Sequence, residues 1–251
     1  MTNDATRTRR WALVTGGARG IGLGLVKEFA AAGFEVVFTY KSSAETARSV
    51  EASMAEQGFR VDGHACDSTD EAAVQALADR LLAERGAPYV IVNNAGITRD
   101  SLMMKMSAED WHAVIDTNLN SAFFVTRAFT PSMMETGDGV VLQISSVAAY
   151  KGVAGQTNYS ATKAALTAMT RSLALELGRF NLRVNAIAPG YIATDMFDNI
   201  PDAQRKSIKN TIPLRRIGAV EDVSSLALFL TGQSASYITG QTFVVDGGLT
   251  V

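Results

Sequence analysis

Short apolar runs alternate along the chain with longer stretches in which apolar residues recur every three or four positions. The first pattern is typical of strands buried in a sheet, and the second is typical of amphipathic helices. Helices that alternate with buried strands indicate a parallel sheet covered on both faces. The predicted strands are 11–15, 35–39, 60–65, 89–92, 140–144, 183–187 and 242–245. We therefore predict an α/β fold with a doubly wound parallel sheet of about seven strands.

The chain is predicted to form a single domain. Its 251 residues, of which 47% are hydrophobic, are enough to build one large core. No Pro/Ser-rich linker, repeat or low-complexity segment interrupts it. Residues 1–10 carry Arg7, Arg9 and Arg10, but no apolar segment follows them. We therefore predict a disordered tail at 1–10 rather than a signal peptide, followed by one domain at 11–251.

Composition and charge argue against several classes of function. The net charge is −2 and the basic residues are dispersed, which argues against a nucleic-acid partner. The longest apolar runs are too short to cross a bilayer. The single cysteine, Cys66, excludes an internal disulfide and fits a reducing cytoplasm. His64 and His112 lack neighbouring ligands at metal-binding spacing, so no metal site is predicted.

A glycine-rich turn, residues 16–22 (GGARGIG), follows the first strand and precedes a helical stretch. Strand, glycine turn and helix together form a dinucleotide site in Rossmann-type folds, with the phosphates at the helix N-terminus. The spacing is Gly-x-x-x-Gly-x-Gly rather than the commoner Gly-x-Gly-x-x-Gly, and a simple structural turn is the alternative. The residues predicted to contact the coenzyme here are Gly16, Arg19, Gly20, Ile21 and Gly22.

The end of the second strand bears on the choice of coenzyme. An acidic residue at this point would bind the ribose diol of NAD. The chain instead continues as Tyr40-Lys41-Ser42. Lys41 and Ser42, with Arg19 from the glycine turn, can hold a 2′-phosphate, which favours NADPH. The alternative for Lys41 is an ordinary residue of a solvated loop.

Two further strand ends carry candidate coenzyme contacts. Asp67 follows the third strand and is placed to accept a hydrogen bond from an adenine amino group. Equally, with Asp70, it can cap the helix predicted to begin near Glu71. The fourth strand runs into a turn of small residues where a ligand can touch the backbone. The predicted contacts there are Asn94, Ala95 and Gly96.

Tyr159 and Lys163 lie four residues apart in a predicted helix, thirteen residues after Ser146. One helical turn separates the pair, so both side chains project from one face. Ser146 follows the strand 140–144, at the edge where open parallel sheets bind ligands. A lysine ammonium beside a tyrosine is expected to lower the phenol pKa and make it a better proton donor to a carbonyl. The alternative is a packing tyrosine with a solvated hydroxyl.

Six motifs, taken in order, resemble the short-chain dehydrogenase/reductase family, and the resemblance covers residues 10–251. Segments 93–100 (NNAGITRD) and 184–196 (VNAIAPGYIATDM) are similar to 3-oxoacyl-[acyl-carrier-protein] reductases, and parts of the chain also to acetoacetyl-CoA reductases. The motifs are Thr15-Gly16-x-x-x-Gly20-Ile21-Gly22, Asn93-Asn94-Ala95-Gly96, Asn118, Ser146, Tyr159-x-x-x-Lys163 and Pro189-Gly190.

The resemblance implies a catalytic tetrad of Asn118, Ser146, Tyr159 and Lys163. Tyr159 would give its proton to the substrate carbonyl oxygen, and Ser146 would orient that oxygen. Lys163 would lower the pKa of Tyr159 and bind the nicotinamide ribose. Asn118 would hold a water that links Lys163 to a proton relay. The alternative for Asn118 is a packing hydrogen bond inside a helix.

The resemblance also implies a substrate lid and an assembly. The segment 195–217, expected to be irregular and polar, would be the lid. A homotetramer would form through two long helices, around 107–130 and 157–178, and through the C-terminal strand. Further coenzyme contacts would be Pro189, Gly190, Ile192 and Thr194.

The implied activity is NADPH-dependent reduction of a 3-oxoacyl thioester on acyl carrier protein, in fatty acid or polyketide-like synthesis. Carrier-dependent relatives often carry basic residues before the Ser146 strand, to meet the acidic carrier. The turn 134–139 (METGDG) has none. Substitutes would be Arg127, Arg179, Arg183, Arg205, Lys206 or Lys209. The alternative substrates are a CoA thioester and a broad range of ketones. The alternative to an enzyme is a catalytically silent nucleotide-binding subunit, which would predict a broken tetrad.

Overall fold

The computed structural model describes residues 10–194, residue 197 and residues 202–251. Seven strands form one sheet in the order β3-β2-β1-β4-β5-β6-β7, and every neighbouring pair is parallel. The predicted doubly wound parallel sheet is thereby confirmed. The strands are β1 Trp11–Val14, β2 Glu35–Tyr40, β3 Val61–Ala65, β4 Val90–Asn93, β5 Gly139–Ile144, β6 Leu182–Pro189 and β7 Thr242–Val245.

Helices cover both faces of the sheet. They are α1 Gly20–Ala31, α2 Ala44–Glu56, α3 Glu71–Arg85, α4 Ala108–Ile115, α5 Ser121–Thr136, α6 Thr157–Leu177, α7 Asp202–Thr211 and α8 Val220–Thr231. A π-helical turn, Asp116–Asn120, joins α4 to α5, so the long helix predicted around 107–130 is interrupted. Among the described residues, no helix has both the length and the apolar character needed to span a membrane.

Strand side chains alternate between two apolar layers. In β1, Ala12 and Val14 pack in the layer with α1, α2 and α8. Trp11 and Leu13 pack in the opposite layer, with α3, α5 and α6. Because both faces of the sheet are covered, its central strands β1, β4 and β5 are buried throughout and read as mostly apolar runs, and this is why the sequence locates them. The edge strand β3 is only partly buried.

The predicted tail and lid differ from expectation where the structure describes them. Arg10 belongs to the folded part, because its guanidinium donates to Asp138 (2.8 Å) and lies 3.8 Å from the Tyr89 ring centroid. The rest of the tail, residues 1–9, lies outside the described residues. Residues 195, 196 and 198–201 of the predicted lid do so too. The expectation of an irregular segment is wrong for α7, because backbone hydrogen bonds form a helix there without an apolar pattern to reveal it.

The strand order reverses between β1 and β4. From β1 the chain adds β2 and then β3 on one side of the sheet, and from β4 it adds β5, β6 and β7 on the other side. The loops that follow β1 and β4 therefore diverge and leave a crevice at the carboxyl edge of the sheet. The glycine turn and the Asn93–Gly96 turn both open into this crevice.

Candidate active site

The glycine turn has the backbone that its residues predict. Gly16 and Gly20 have φ angles of +65° and +55°, in the left-handed region that favours glycine. Helix α1 begins at Gly20, and the preceding Arg19 makes no side-chain cap. The first N–H groups of the helix are thus left for an anionic ligand. A Cβ on Gly22 would collide with the Gly16 carbonyl oxygen, so α1 packs directly against the turn.

Thr15 and Asn94 brace the glycine turn against the end of β4. The Thr15 hydroxyl accepts hydrogen bonds from the backbone N–H groups of Asn94 and Ala95, both at 3.0 Å. The Asn94 amide nitrogen donates to the carbonyls of Thr15 (2.9 Å) and Gly16 (3.2 Å). The predicted contact residues Ala95 and Gly96 are consequently fixed beside the glycine turn, and the Asn94 side chain serves to hold that turn in place.

The ends of β2 and β3 bring Lys41 and Asp67 together. Lys41 Nζ lies 2.6 Å from Asp67 Oδ2, in an ion pair that the sequence did not reveal. The glycine turn reaches the same corner, because Gly17 N–H donates to the Thr39 carbonyl (3.1 Å). The exposed side chain of Arg19 extends from that turn. Ser42 is also exposed, so the residues predicted to hold a 2′-phosphate share one open corner of the crevice.

Asp67 and Asp70 have different roles at the start of α3. Asp70 caps the helix, because its side chain accepts from the N–H groups of Ala72 and Ala73. Asp67 does not cap α3. Its Oδ1 accepts from Thr69, from the backbone N–H (3.0 Å) and from the hydroxyl (2.7 Å). The predicted adenine contact of Asp67 stays a prediction, and the capping alternative applies to Asp70 alone.

Ser146, Tyr159 and Lys163 form one cluster at the carboxyl end of β5. The side chains of Ser146 and Tyr159 are neighbours, close enough for Ser146 to act on the Tyr159 pKa. Lys163 is buried, with Nζ donating to the Ile144 carbonyl (2.8 Å) and lying 5.5 Å from the Tyr159 ring centroid. A Cβ built on Gly96 would lie 3.5 Å from Lys163 Nζ. The cluster therefore adjoins the turn that braces the glycine loop.

Burial moves the pKa values of both titratable groups in this cluster. It lowers the pKa of Lys163 to about 8, from an ordinary value of 10.5. It raises the pKa of Tyr159, and the charge of Asp100 acts in the same direction, while the hydrogen bond to Ser146 opposes them. The expected lowering of the Tyr159 pKa by Lys163 is not among these influences, and the net shift is upward. Tyr159 keeps its proton at neutral pH.

Asn118 lies in the π-helical turn and is buried. Its Oδ1 accepts from the Ile97 N–H (2.8 Å), and its Nδ2 donates to the Ile97 carbonyl (3.0 Å) and to the Thr162 hydroxyl (3.2 Å). These are the packing hydrogen bonds of the alternative interpretation. The Asn118 side chain thus holds the loop after Gly96 in place. Its role in a proton relay stays a prediction.

The loop after β6 closes the other side of the crevice. Pro189 ends β6, and Gly190 N–H donates to the Val245 carbonyl (2.8 Å). Ile192 is buried and forms an isolated parallel bridge with Gly218. Thr194 faces the glycine turn, since a Cβ built on Gly20 would lie 3.5 Å from its Cγ2. The predicted contacts Pro189, Gly190, Ile192 and Thr194 thus belong to one loop, whose Thr194 lies against the glycine turn.

Two buried residues that the sequence analysis missed position this cluster. Asn158 accepts from the Tyr159 N–H (2.7 Å) and donates to the Arg99 carbonyl (3.0 Å), which ties the start of α6 to the loop after β4. Ser145 donates to the Lys163 carbonyl (2.8 Å). The sequence could have indicated both, since each is a polar residue directly before a predicted catalytic one.

The two histidines lie in β3 and α4. His64 Nδ1 is 3.0 Å from an Arg80 guanidinium nitrogen, and burial and the Arg80 charge lower the pKa of its imidazole. His112 lies in α4. Within the described ranges, no group of three or more His, Cys, Asp or Glu side chains is arranged to hold a metal.

Comparison with known proteins identifies relatives along nearly the whole chain. The family model described as enoyl-(acyl carrier protein) reductase matches residues 16–250. The 3-oxoacyl-[acyl-carrier-protein] reductase FabG of Chlamydia pneumoniae is 42% identical over 98% of this chain and 99% of its own. The protein of the same name from Pseudomonas aeruginosa is 40% identical over 95% and 96%. That from Staphylococcus aureus is 39% identical over 95% and 97%.

Proposed function

We propose, since this chain belongs to the short-chain dehydrogenase/reductase family, that it reduces 3-oxoacyl thioesters to 3-hydroxyacyl thioesters with NADPH. The observation that carries the proposal is the placement of the Ser146 and Tyr159 hydroxyl groups beside each other and beside the buried Lys163. Two hydroxyl groups at one point are suited to bind one carbonyl oxygen. The relatives named above, with which the chain aligns almost end to end, are called 3-oxoacyl-[acyl-carrier-protein] reductases.

Each residue of the cluster has a separate role in the proposed reduction of the carbonyl group. When bound, NADPH supplies the hydride that the carbonyl carbon receives. Tyr159 donates its proton to the oxygen, where negative charge develops. Ser146 donates a hydrogen bond to the same oxygen and fixes its direction. Lys163 supplies a positive charge that stabilises the phenolate left on Tyr159, and its ammonium can also bind a ribose hydroxyl.

The glycine turn fits a dinucleotide. The Gly16–Gly22 backbone approaches the Asn94–Gly96 turn so closely that a side chain at Gly22 would fill the space beside it. The uncapped N-terminus of α1 would hold the pyrophosphate. Proposed contacts on the nicotinamide side are the residues of the β6 loop, with Thr194 on the carboxamide.

The preference for NADPH over NADH is proposed to come from Arg19 and Lys41. Replacing both by alanine is expected to weaken NADPH binding roughly 10- to 100-fold and to change NADH binding little, because only NADPH carries the 2′-phosphate. Titration of nicotinamide fluorescence gives both dissociation constants. Lys27→Ala, which removes an exposed charge from α1, is the matched control. Equal losses for the two coenzymes would refute the assignment.

The identity of the acyl carrier depends on the basic surface near the crevice. Arg183 donates to the Leu230 carbonyl (2.6 Å) and is part of the fold. Arg127 is ion-paired with Glu71, and the turn residue Asp138 is paired with Arg10. We therefore propose that an acidic carrier protein would meet Lys206 and Lys209 of α7, which are both exposed. Arg179 is exposed too, but it lies just before the start of β6, at the edge of the sheet opposite the crevice.

The decisive experiment is the initial rate of NADPH oxidation with one 3-oxoacyl group presented on carrier protein and, separately, on CoA. A higher kcat/KM on the carrier would support the acyl-carrier reductase. Equal or better turnover on CoA would support acetoacetyl-CoA-type chemistry, and turnover of simple ketones a broad-range reductase. A trans-2-enoyl thioester tests the activity in the family model's description. No oxidation with any substrate would favour a nucleotide-binding subunit without activity.

We also propose a homotetramer in the cytoplasm. Phe123 of α5 and Leu175 of α6 are exposed on neighbouring outer faces, the latter by 86%, as expected of helices that pack against another copy. Val244 of β7 and the C-terminal Val251 are exposed too. Sedimentation equilibrium measures the assembly, and a monomer at micromolar concentration would contradict it.

A further inference from the structure

The ion pair between Lys41 and Asp67 lies where the proposed 2′-phosphate would bind. Tyr40 and Ala65 are register partners in the parallel pair of β2 and β3, so the residues that follow them emerge side by side. Cys66 N–H donates to the Tyr40 carbonyl (2.9 Å), which extends this pairing by one step. Lys41 and Asp67 therefore meet because of the sheet register, at the corner that the glycine turn also reaches.

The Asp67 carboxylate is a fixed negative charge. Its Oδ1 is held by the backbone N–H and the hydroxyl of Thr69, and Oδ2 receives the Lys41 ammonium at 2.6 Å. Burial opposes its ionisation, but the hydrogen bonds from Lys41 and Thr69 outweigh burial and hold the pKa of Asp67 below its usual value. Lys41 is the freer partner, with a side chain 68% exposed against 35% for Asp67.

We propose that Asp67 determines how strongly the protein selects NADPH, by competing with the 2′-phosphate for Lys41. The inference rests on the proposed use of NADPH. A 2′-phosphate must draw the ammonium from the carboxylate or share it, and Asp67 repels the phosphate at the same time. NADH has a hydroxyl at that position and leaves the ion pair intact. Asp67 thus weakens NADPH binding and leaves the affinity for NADH unchanged.

The substitution Asp67→Asn tests this without disturbing the turn. The asparagine side-chain oxygen can still accept from Thr69, while an uncharged NH2 group replaces the oxygen that receives the Lys41 ammonium. We expect NADPH to bind about two- to fivefold more tightly and NADH to bind with little change, as befits an exposed ion pair. Nicotinamide fluorescence gives both dissociation constants, and thermal unfolding verifies that the variant folds like the parent protein.

Asp70→Asn is the matched control. It removes the same charge three residues away, where the side chain caps α3 and does not contact Lys41. If Asp70→Asn changes the NADPH-to-NADH affinity ratio as much as Asp67→Asn does, the change results from the net charge of the protein and not from the Lys41–Asp67 pair. The proposal then fails.

Three other results would also overturn it. An unchanged ratio in Asp67→Asn would mean that the ion pair does not compete. Weaker NADPH binding would mean that Asp67 instead holds Lys41 in position. Equal weakening of both coenzymes would assign Asp67 to the adenine that they share. A parent protein with no preference for NADPH would instead refute the proposed coenzyme, which the same titration detects before any variant is made.

Discussion

Removing the Tyr159 hydroxyl, by Tyr159→Phe, is expected to lower kcat/KM for a 3-oxoacyl thioester about 10²- to 10⁴-fold, the usual contribution of a general acid. The ring remains, so its packing on α6 is kept. Only the phenol hydroxyl, which is the proposed proton donor, is lost. Because burial raises the pKa of this phenol, it carries its proton throughout the neutral range and can give it to the carbonyl oxygen.

The same variant should bind NADPH with nearly unchanged affinity, because the glycine turn and the β2–β3 corner do not involve Tyr159. Steady-state rates and coenzyme titration together separate a chemical defect from a binding defect. Tyr237→Phe removes the same oxygen from a fully exposed tyrosine and should leave the rate unchanged. Activity that survived Tyr159→Phe would show that another group protonates the oxygen.

The features that the sequence predicts correctly are those set by local pattern. Strand β5, expected at 140–144, spans Gly139–Ile144, because a strand buried on both faces must be apolar throughout. Gly16 and Gly20 have positive φ angles because the turn between β1 and α1 requires them. Tyr159 and Lys163 share a helix face because one turn separates them.

The features that it misses depend on contacts between distant segments. The Lys41–Asp67 pair requires the register of β2 on β3, which no local pattern encodes. The direction of the Tyr159 pKa shift depends on how deeply the phenol is buried, and only packing decides that. Helix α7 is polar, with Ile208 as its one large apolar residue, so the sequence offers too few apolar positions to show a helical repeat.

The charge of Lys163 should control the alkaline limb of the pH profile. Its pKa is lowered to about 8 by burial, so the ammonium prevails below that pH and is lost above it. Tyr159 remains protonated over this range, because its own pKa is raised above 10.0. We therefore expect kcat/KM for reduction to be level near pH 7 and to fall about tenfold per unit well above pH 8.

Replacing Lys163 by methionine is expected to lower kcat/KM about 10²- to 10³-fold, since a buried charge next to the reacting phenol is lost. Methionine is similar in length and apolar, so it suits a site that is 3% exposed. The residual activity should no longer fall near pH 8, because the group that titrates there is gone. If the limb persisted in Lys163→Met, another group would be responsible. Titration of Cys66 could explain only a fall in kcat/KM at higher pH, because burial raises the pKa of its thiol above 9.0.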